Sequence, residues 1–252
     1  MLAHPTHERL LSLGLTGMAK AFQEQHTAPD LTALSFEERL GMLVDREAIE
    51  RDNKRTTTRL RFAALRHTAC VEDIDLQTPR SIDRQLLAKL TLGEWIDRYQ
   101  NCLITGPTGV GKSWIACAIG HKACRDGRSV LYQRVPRLFE ALALARGDGR
   151  HVKMLKTIAR TNLLILDDWG LAVLTPTQRT DLLEILEDRS GRASTIVTSQ
   201  IPPEQWHEVI GDPTLADAIL DRLIHNAHRL TLSGQSMRRI NARQKLDETS
   251  DS

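Results

Sequence analysis

The chain has 252 residues, 41% hydrophobic and 26% charged, with Lys and Arg exceeding Asp and Glu by only two. That balance describes a globular protein and excludes a disordered, collagenous or strongly polyionic chain. No apolar run approaches the roughly 20 residues of a spanning helix, and the N-terminus has no signal-peptide core, so a cytoplasmic protein without membrane contact is expected. Cys70, Cys102, Cys117 and Cys124 form no C-x-x-C pair and read as reduced packing residues. His225 and His228 are an isolated pair, too few ligands for a metal site.

Residues 1–68 show helical patterns and no strand pattern, and predict a small all-helical N-terminal domain. Ser35 followed by Glu38 has the form of a capping box that starts a helix. Leu40, Leu43, Val44 and Ile49 recur at helical spacing, which predicts one buried face. The continuation of this helix is basic. Arg51, Arg55 and Arg59 stand four apart and share a face, with Lys54 and Arg61 beside them. One reading is a solvated face or a contact for an acidic protein; the other is a stripe for nucleic-acid phosphates, which positions without reading sequence. Residues 68–80 are mixed and loop-like, and mark a domain boundary. An amphipathic helix is predicted over 82–99, with Leu86, Leu87, Leu90 and Trp95 on its buried side.

Asn101 to Thr105 then reads as a short apolar strand, and residues 113–125 as a helix. Between them lies Gly106-Pro107-Thr108-Gly109-Val110-Gly111-Lys112-Ser113, which fits G-x-x-x-x-G-K-[ST] at every fixed position. A triphosphate must be met by several backbone N–H groups at once, and glycines supply the positive φ that such a cradle needs. The following helix N-terminus adds unpaired N–H groups and the positive end of its dipole. Lys112 places a charge on the β/γ-phosphates, and the Ser113 hydroxyl becomes a ligand of Mg²⁺. ATP and Mg²⁺ are therefore the expected nucleotide and metal.

Alternation continues with a strand over 129–133 and a helix over 136–145, which is the α/β pattern. Residues 146–153 read as a flexible turn. Arg146, Arg150 and Lys153 there, with Lys156 beyond, are either a solvated surface or a second nucleic-acid contact. Leu163-Leu164-Ile165-Leu166-Asp167-Asp168 has four consecutive apolar residues, suited to a strand buried on both faces, and ends in two carboxylates. Asp167 would hold Mg²⁺ and Asp168 would polarise the attacking water. Thr175, Pro176 and Gln178 form a second capping box with proline at the first helical position. A β-branched strand over 194–199 ends on Thr198-Ser199. A helix over 213–223, a strand over 228–232, Gly234 to Arg239, and a disordered tail over 247–252 complete the chain. Trp114 and Trp169 adjoin the two motifs, where buried packing and stacking on a nucleotide are both open.

Gly106 to Ser113, Asp167-Asp168, Thr198-Ser199, Asp221-Arg222 and Ser236-Met237-Arg238 together resemble an AAA+ ATPase of the initiator and helicase-loader clade. More closely, the chain resembles the IstB-like helper ATPases of insertion-sequence transposition, which are similar to the DnaC helicase loader. The resemblance implies an AAA+ P-loop domain with a central parallel sheet over 69–246, its lid truncated or absent. It also implies a nucleotide site spanning Gly106, Pro107, Thr108, Gly109, Val110, Gly111, Lys112, Ser113 and Trp114. Ser199 would be the polar sensor, Arg222 a finger offered to a neighbouring subunit, and Arg238 the second sensor. The implied activity is ATP hydrolysis by a homo-oligomer on duplex DNA that directs a transposase to its target; a DnaC-type helicase loader is the alternative. One departure is Asp168, where the usual acid is the longer Glu.

Overall fold

A capping box does open the long helix of the N-terminal region: Ser35 N–H donates to Glu38 Oε2 at 2.8 Å, and Glu38 N–H donates to Ser35 Oγ at 3.2 Å. The structure, a computed structural model, describes residues 4–28, 31 and 33–240; the tail expected over 247–252 lies outside them. The chain divides into two compact units, Met1–Thr58 and Arg59–Ser252. The first contains α1 (Pro5–Ser12), α2 (Thr16–Thr27) and most of α3 (Phe36–Ala63).

Helix α2 meets α3 through backbone and not through the expected leucine face. A Cβ at Gly17 would stand 2.6 Å from Arg46 O, so the absence of a side chain is what allows the approach. Glu47 completes the contact, accepting from Gly17 N–H at 2.7 Å and Met18 N–H at 3.1 Å, donors left over at the start of α2. Leu40, Val44 and Ile49 are 41%, 52% and 56% exposed. The predicted buried face is therefore not formed, because the helix packs where the backbones come closest.

In the second unit the helix predicted over 82–99 is two, α4 (Arg84–Leu92) and α5 (Glu94–Asp97). They are separated by Gly93 at φ 79°, a left-handed helix stop that glycine adopts without penalty. Asp83 caps α4, accepting from Gln85 and Leu86 N–H, both at 3.0 Å. The chain continues through β1 (Asn101–Thr105), α6 (Lys112–Arg125), β2 (Val130–Arg134), α7 (Val135–Gly147) and α8 (His151–Arg160). The turn expected over 146–153 thus shrinks to residues 148–150, because the helices on both sides extend into it. Then follow β3 (Leu163–Trp169), α9 (Pro176–Arg189), β4 (Ser194–Ser199), α10 (Trp206–Ile210), α11 (Pro213–Ile224) and β5 (Ala227–Thr231). The second capping box holds at α9, with Thr175 and Gln178 bonded reciprocally.

All five strands are parallel, in the order β2-β3-β4-β1-β5. The period of two along each strand divides the core between the sheet's faces. Ile104, Ile165 and Ile196 join Ile115 and Ile119 of α6 on one side. Leu103, Leu164, Leu166 and Val197 join Leu142 and Ile219 on the other. Each such fully buried side chain contributes about 1.5–3 kcal/mol. This two-sided burial holds the C-terminal ends of β1, β3 and β4 side by side, where the two motifs lie.

Candidate phosphate-binding site

The loop between β1 and α6 wraps back on itself. Gly109 has φ 89°, and a Cβ there would stand 2.2 Å from Ser236 Oγ, so only glycine permits the later segment to cross it. That crossing is fixed by Met237 N–H donating to Gly109 O at 2.9 Å. Lys112 turns its ammonium onto the loop's own carbonyls, Gly106 O at 2.7 Å and Pro107 O at 2.8 Å. Desolvation lowers its pKa, opposed by the charges of Asp167 and Asp168. An ammonium held only by neutral carbonyls is available to a phosphate.

Asp167 is fully buried and collects three hydroxyls. Its Oδ1 accepts from Ser113 Oγ at 2.6 Å and Thr198 Oγ1 at 2.5 Å, and its Oδ2 from Tyr132 OH at 2.5 Å. Burial, then the bond to Asp167, raises the Tyr132 pKa, so the phenol stays protonated. The pairing of β3 with β4 slips between Leu166 and Trp169. There Asp168 takes φ 63°, uncommon for a residue with a side chain, and its N–H donates to Thr198 Oγ1 at 3.2 Å. Its carboxylate accepts from Arg134 Nε at 2.7 Å, and Arg66 Nη1 stands 3.9 Å away. The oxygen-only set of Ser113 and Asp167 suits a hard cation such as Mg²⁺, which would neutralise phosphate charge there.

Gly109, Gly111, Lys112, Ser113 and Asp168 border a cleft of about 480 Å³ whose lining also includes His67, Trp114, Gln200 and Arg238, with Asp167 buried behind Ser113. Desolvation, then the nearby Arg66 charge, lowers the His67 pKa, favouring the neutral ring. A cleft lined by the glycine loop, an ammonium, a hydroxyl and the Asp168 carboxylate has the chemistry to take a nucleoside polyphosphate.

Known proteins resemble this chain in sequence and in fold. The model of the family described as IstB-like ATP binding protein matches residues 8–245. The chain belongs to that family. An insertion sequence ATP-binding protein of Sinorhizobium fredii is 60% identical over 245 residues, covering 97% of this chain and all of that protein. The IS21 insertion sequence ATP-binding protein of Pseudomonas aeruginosa is 33% identical over 205 residues, covering 81% of this chain and 77% of that one. Among solved structures, DnaI matches with TM-score 0.57 at 22% identity, covering 66% of this chain and 91% of that one. The DnaC helicase loader matches with TM-score 0.52 at 21% identity, covering 65% and 96%. These two likenesses establish the AAA+ fold.

In this IstB-like chain not every residue singled out from sequence reaches the cleft. Ser199 is turned away: its Oγ donates to Trp169 O at 3.0 Å and accepts from Ile201 N–H at 3.2 Å. The next residue, Gln200, occupies the cleft and accepts from Thr108 Oγ1 at 2.7 Å. Arg222 lies at the opposite ends of the strands. Its carbonyl accepts from the side-chain amide of Asn101, the first residue of β1, at 2.8 Å, and its Nη2 donates to Glu187 at 2.7 Å. Trp169 is buried against Trp206, ring centroids 5.1 Å apart, whereas Trp114 is half-buried and lines the cleft.

The basic residues are more occupied than their sequence suggested. Arg51 donates to Glu47 at 2.7 Å and Arg55 to Asp52 at 3.5 Å, while Lys54 donates to Thr16 at 2.7 Å. Arg59 reaches Cys124 O at 3.4 Å. Arg61 is exposed. Arg146 is paired with Asp181, and Arg150 with Asp148 at 2.7 Å. Lys153 instead shares a shallow surface depression with Lys156 and Arg160, lined by no acid among the described residues.

Proposed function

We propose that this chain is an ATP-hydrolysing helper that oligomerises on duplex DNA and directs a transposase to target DNA during insertion-sequence transposition. What supports this reading most is the separation of Arg222 from the cleft. A guanidinium that stabilises a transferring γ-phosphate must lie beside it, yet Arg222 adjoins the start of β1 and the phosphate loop follows its end. A five-residue strand puts roughly 13 Å between them. Arg222 therefore serves a neighbouring copy's cleft, and hydrolysis requires assembly.

Within one chain, the loop and Lys112 hold the phosphates, Ser113 and Asp167 hold Mg²⁺, and Asp168 accepts a proton from the attacking water. Gln200, which lines the cleft where Ser199 does not, orients that water, and Arg238, also in the lining, meets the phosphates. DNA phosphates are met by the stripe Arg51, Lys54, Arg55, Arg59 and Arg61, and by Lys153 with Arg146 and Arg150 near it. Exposed pairs such as Arg55 with Asp52 contribute little and yield readily to a phosphate.

The test is phosphate release from MgATP with and without duplex DNA, together with the sedimentation of the protein on that DNA. Stimulated release that rises with assembly, and retention of the insertion sequence's transposase on the complex, is the expected result. Retention of a replicative helicase instead would move the chain to the helicase-loader reading, which the DnaI and DnaC likenesses favour in fold alone.

A further inference from the structure

Arg80 has the surroundings of a ligand-binding arginine, although it lies outside every motif. It is 4% exposed. Its Nη1 donates to Val110 O at 3.2 Å, inside the phosphate loop, and its Nη2 to Asp75 O. Its Nε is buried with no hydrogen-bond partner among the described residues. A Cβ on Gly111 would stand 2.9 Å from Nη1, so the guanidinium lies against the turn that presents the loop's N–H groups. It borders the same cleft as Lys112, Ser113 and Arg238.

Both of its partners are neutral carbonyls. The Asp75 carboxylate, whose charge acts on Arg80, accepts instead from Gln77 N–H at 2.8 Å and Thr78 N–H at 3.1 Å, and from the Thr78 hydroxyl. A guanidinium carries five N–H donors, and a buried charge without an anion is costly. Desolvation accordingly pulls the Arg80 pKa down, partly offset by Asp75. The side chain is not needed to place its own backbone, since Arg80 O already accepts from Ser233 N–H at 3.0 Å.

We propose that Arg80 is a direct nucleotide ligand whose guanidinium supplies a positive charge to the phosphates held by the loop. This rests on the nucleotide reading of the cleft. The loop amides beside Val110 and Gly111 cradle the phosphates nearest the nucleoside, with the lysine reaching further out. The phosphates Arg80 meets are therefore those shared by ADP and ATP.

The experiment measures MgADP and MgATP affinity, and melting temperature without nucleotide, for the full chain and for Arg80→Met and Arg80→Lys. Arg80→Met removes the charge at similar length. It should melt no lower than wild type, because an uncompensated buried charge has been removed, yet bind ADP and ATP more weakly by the same factor, on the order of 10- to 100-fold. Arg80→Lys keeps the charge and should recover most of that affinity. ADP affinity within about two-fold of wild type in Arg80→Met would overturn the assignment. So would a lowered melting temperature in both variants with Lys as weak as Met, which is the signature of a strut joining residues 75 and 110. Wild type failing to bind either nucleotide would overturn the nucleotide reading itself, and this assignment with it.

Discussion

The two ends of the parallel sheet treat buried charge in opposite ways. At the N-terminal ends of β3 and β4, Arg189 is 1% exposed, and all three of its nitrogens are used. Nη1 donates to Ile158 O at 2.6 Å and Thr161 O at 2.8 Å, Nη2 to Ser194 O, and Nε to Thr195 Oγ1 at 3.3 Å. Burial takes its pKa down to about 9, still above neutrality, so it is a charged fastener joining the end of α8 to the start of β4. At the C-terminal ends, Lys112 and Arg80 are held by carbonyls alone, Arg80 has an idle donor, and Asp168 takes an unfavourable φ. Among the buried cations, full use of the donors goes with the structural end of the sheet; an idle donor, with backbone strain at Asp168, goes with the end that carries the cleft, where the anion Asp167 is itself fully hydrogen-bonded.

That contrast can be broken by substitutions at either end. Lys112→Ala should lower the rate of phosphate release on the order of 10²- to 10³-fold or more, the loss expected when a charge donor is removed from a developing anion, while the melting temperature changes little. Retained turnover would remove the loop from the reaction. Arg189→Met should do the reverse. Three carbonyls lose their donor, each unsatisfied buried group costing about 1–3 kcal/mol. Part of this is offset by removing a buried charge, so a net loss of about 3 kcal/mol is expected from denaturant titration; a change under about 0.5 kcal/mol, the ordinary range for inert surface sites, would contradict its role as fastener.

Asp168→Asn should slow hydrolysis on the order of 10²-fold while ATP still binds, because the amide keeps the shape but accepts no proton. Turnover within about two-fold of wild type would mean Asp168 is not the base. The smallest effect is expected at Arg51, Arg55 and Arg59. Their joint removal should weaken duplex DNA binding equally for all sequences and flatten its log–log salt dependence by up to roughly 0.9 per lost phosphate contact. An unchanged slope would assign the stripe to a protein partner.

What the sequence disclosed and what it hid follow the reach of the interactions involved. The phosphate loop, the apolar run into Asp167-Asp168 and both capping boxes are local patterns, and the structure forms them as read. The break at Gly93 was visible as a glycine and was overridden by the apolar periodicity around it. Arg66 lies just beyond the basic stretch of α3, and nothing in the local pattern shows that its Nη1 stands 3.8 Å from Asp167, an approach set by tertiary packing. For Arg146 the sequence leaves a solvated surface and a nucleic-acid contact both open, and its pairing with Asp181, 35 positions away, is hidden from any local pattern. Ser199 and Gln200 could not be told apart by composition, since which of them faces the cleft depends on how β4 ends. Tyr132 and Arg134 went unnoticed, although their place at the C-terminal end of a parallel strand is where such sheets bind ligands.

The claim that the cleft is completed by a second copy is tested most directly by mixing two inactive variants. Arg222→Ala should bind ATP and assemble on DNA but hydrolyse on the order of 10³- to 10⁵-fold more slowly, the range seen when such fingers are absent. Lys112→Ala should fail because its own cleft cannot hold the phosphates. Mixed on duplex DNA under conditions that allow subunit exchange, an intact cleft on one copy can face an intact Arg222 on the next. Phosphate release above that of either variant alone is the predicted result; no recovery, with Arg222→Ala still assembled on DNA, would contradict it.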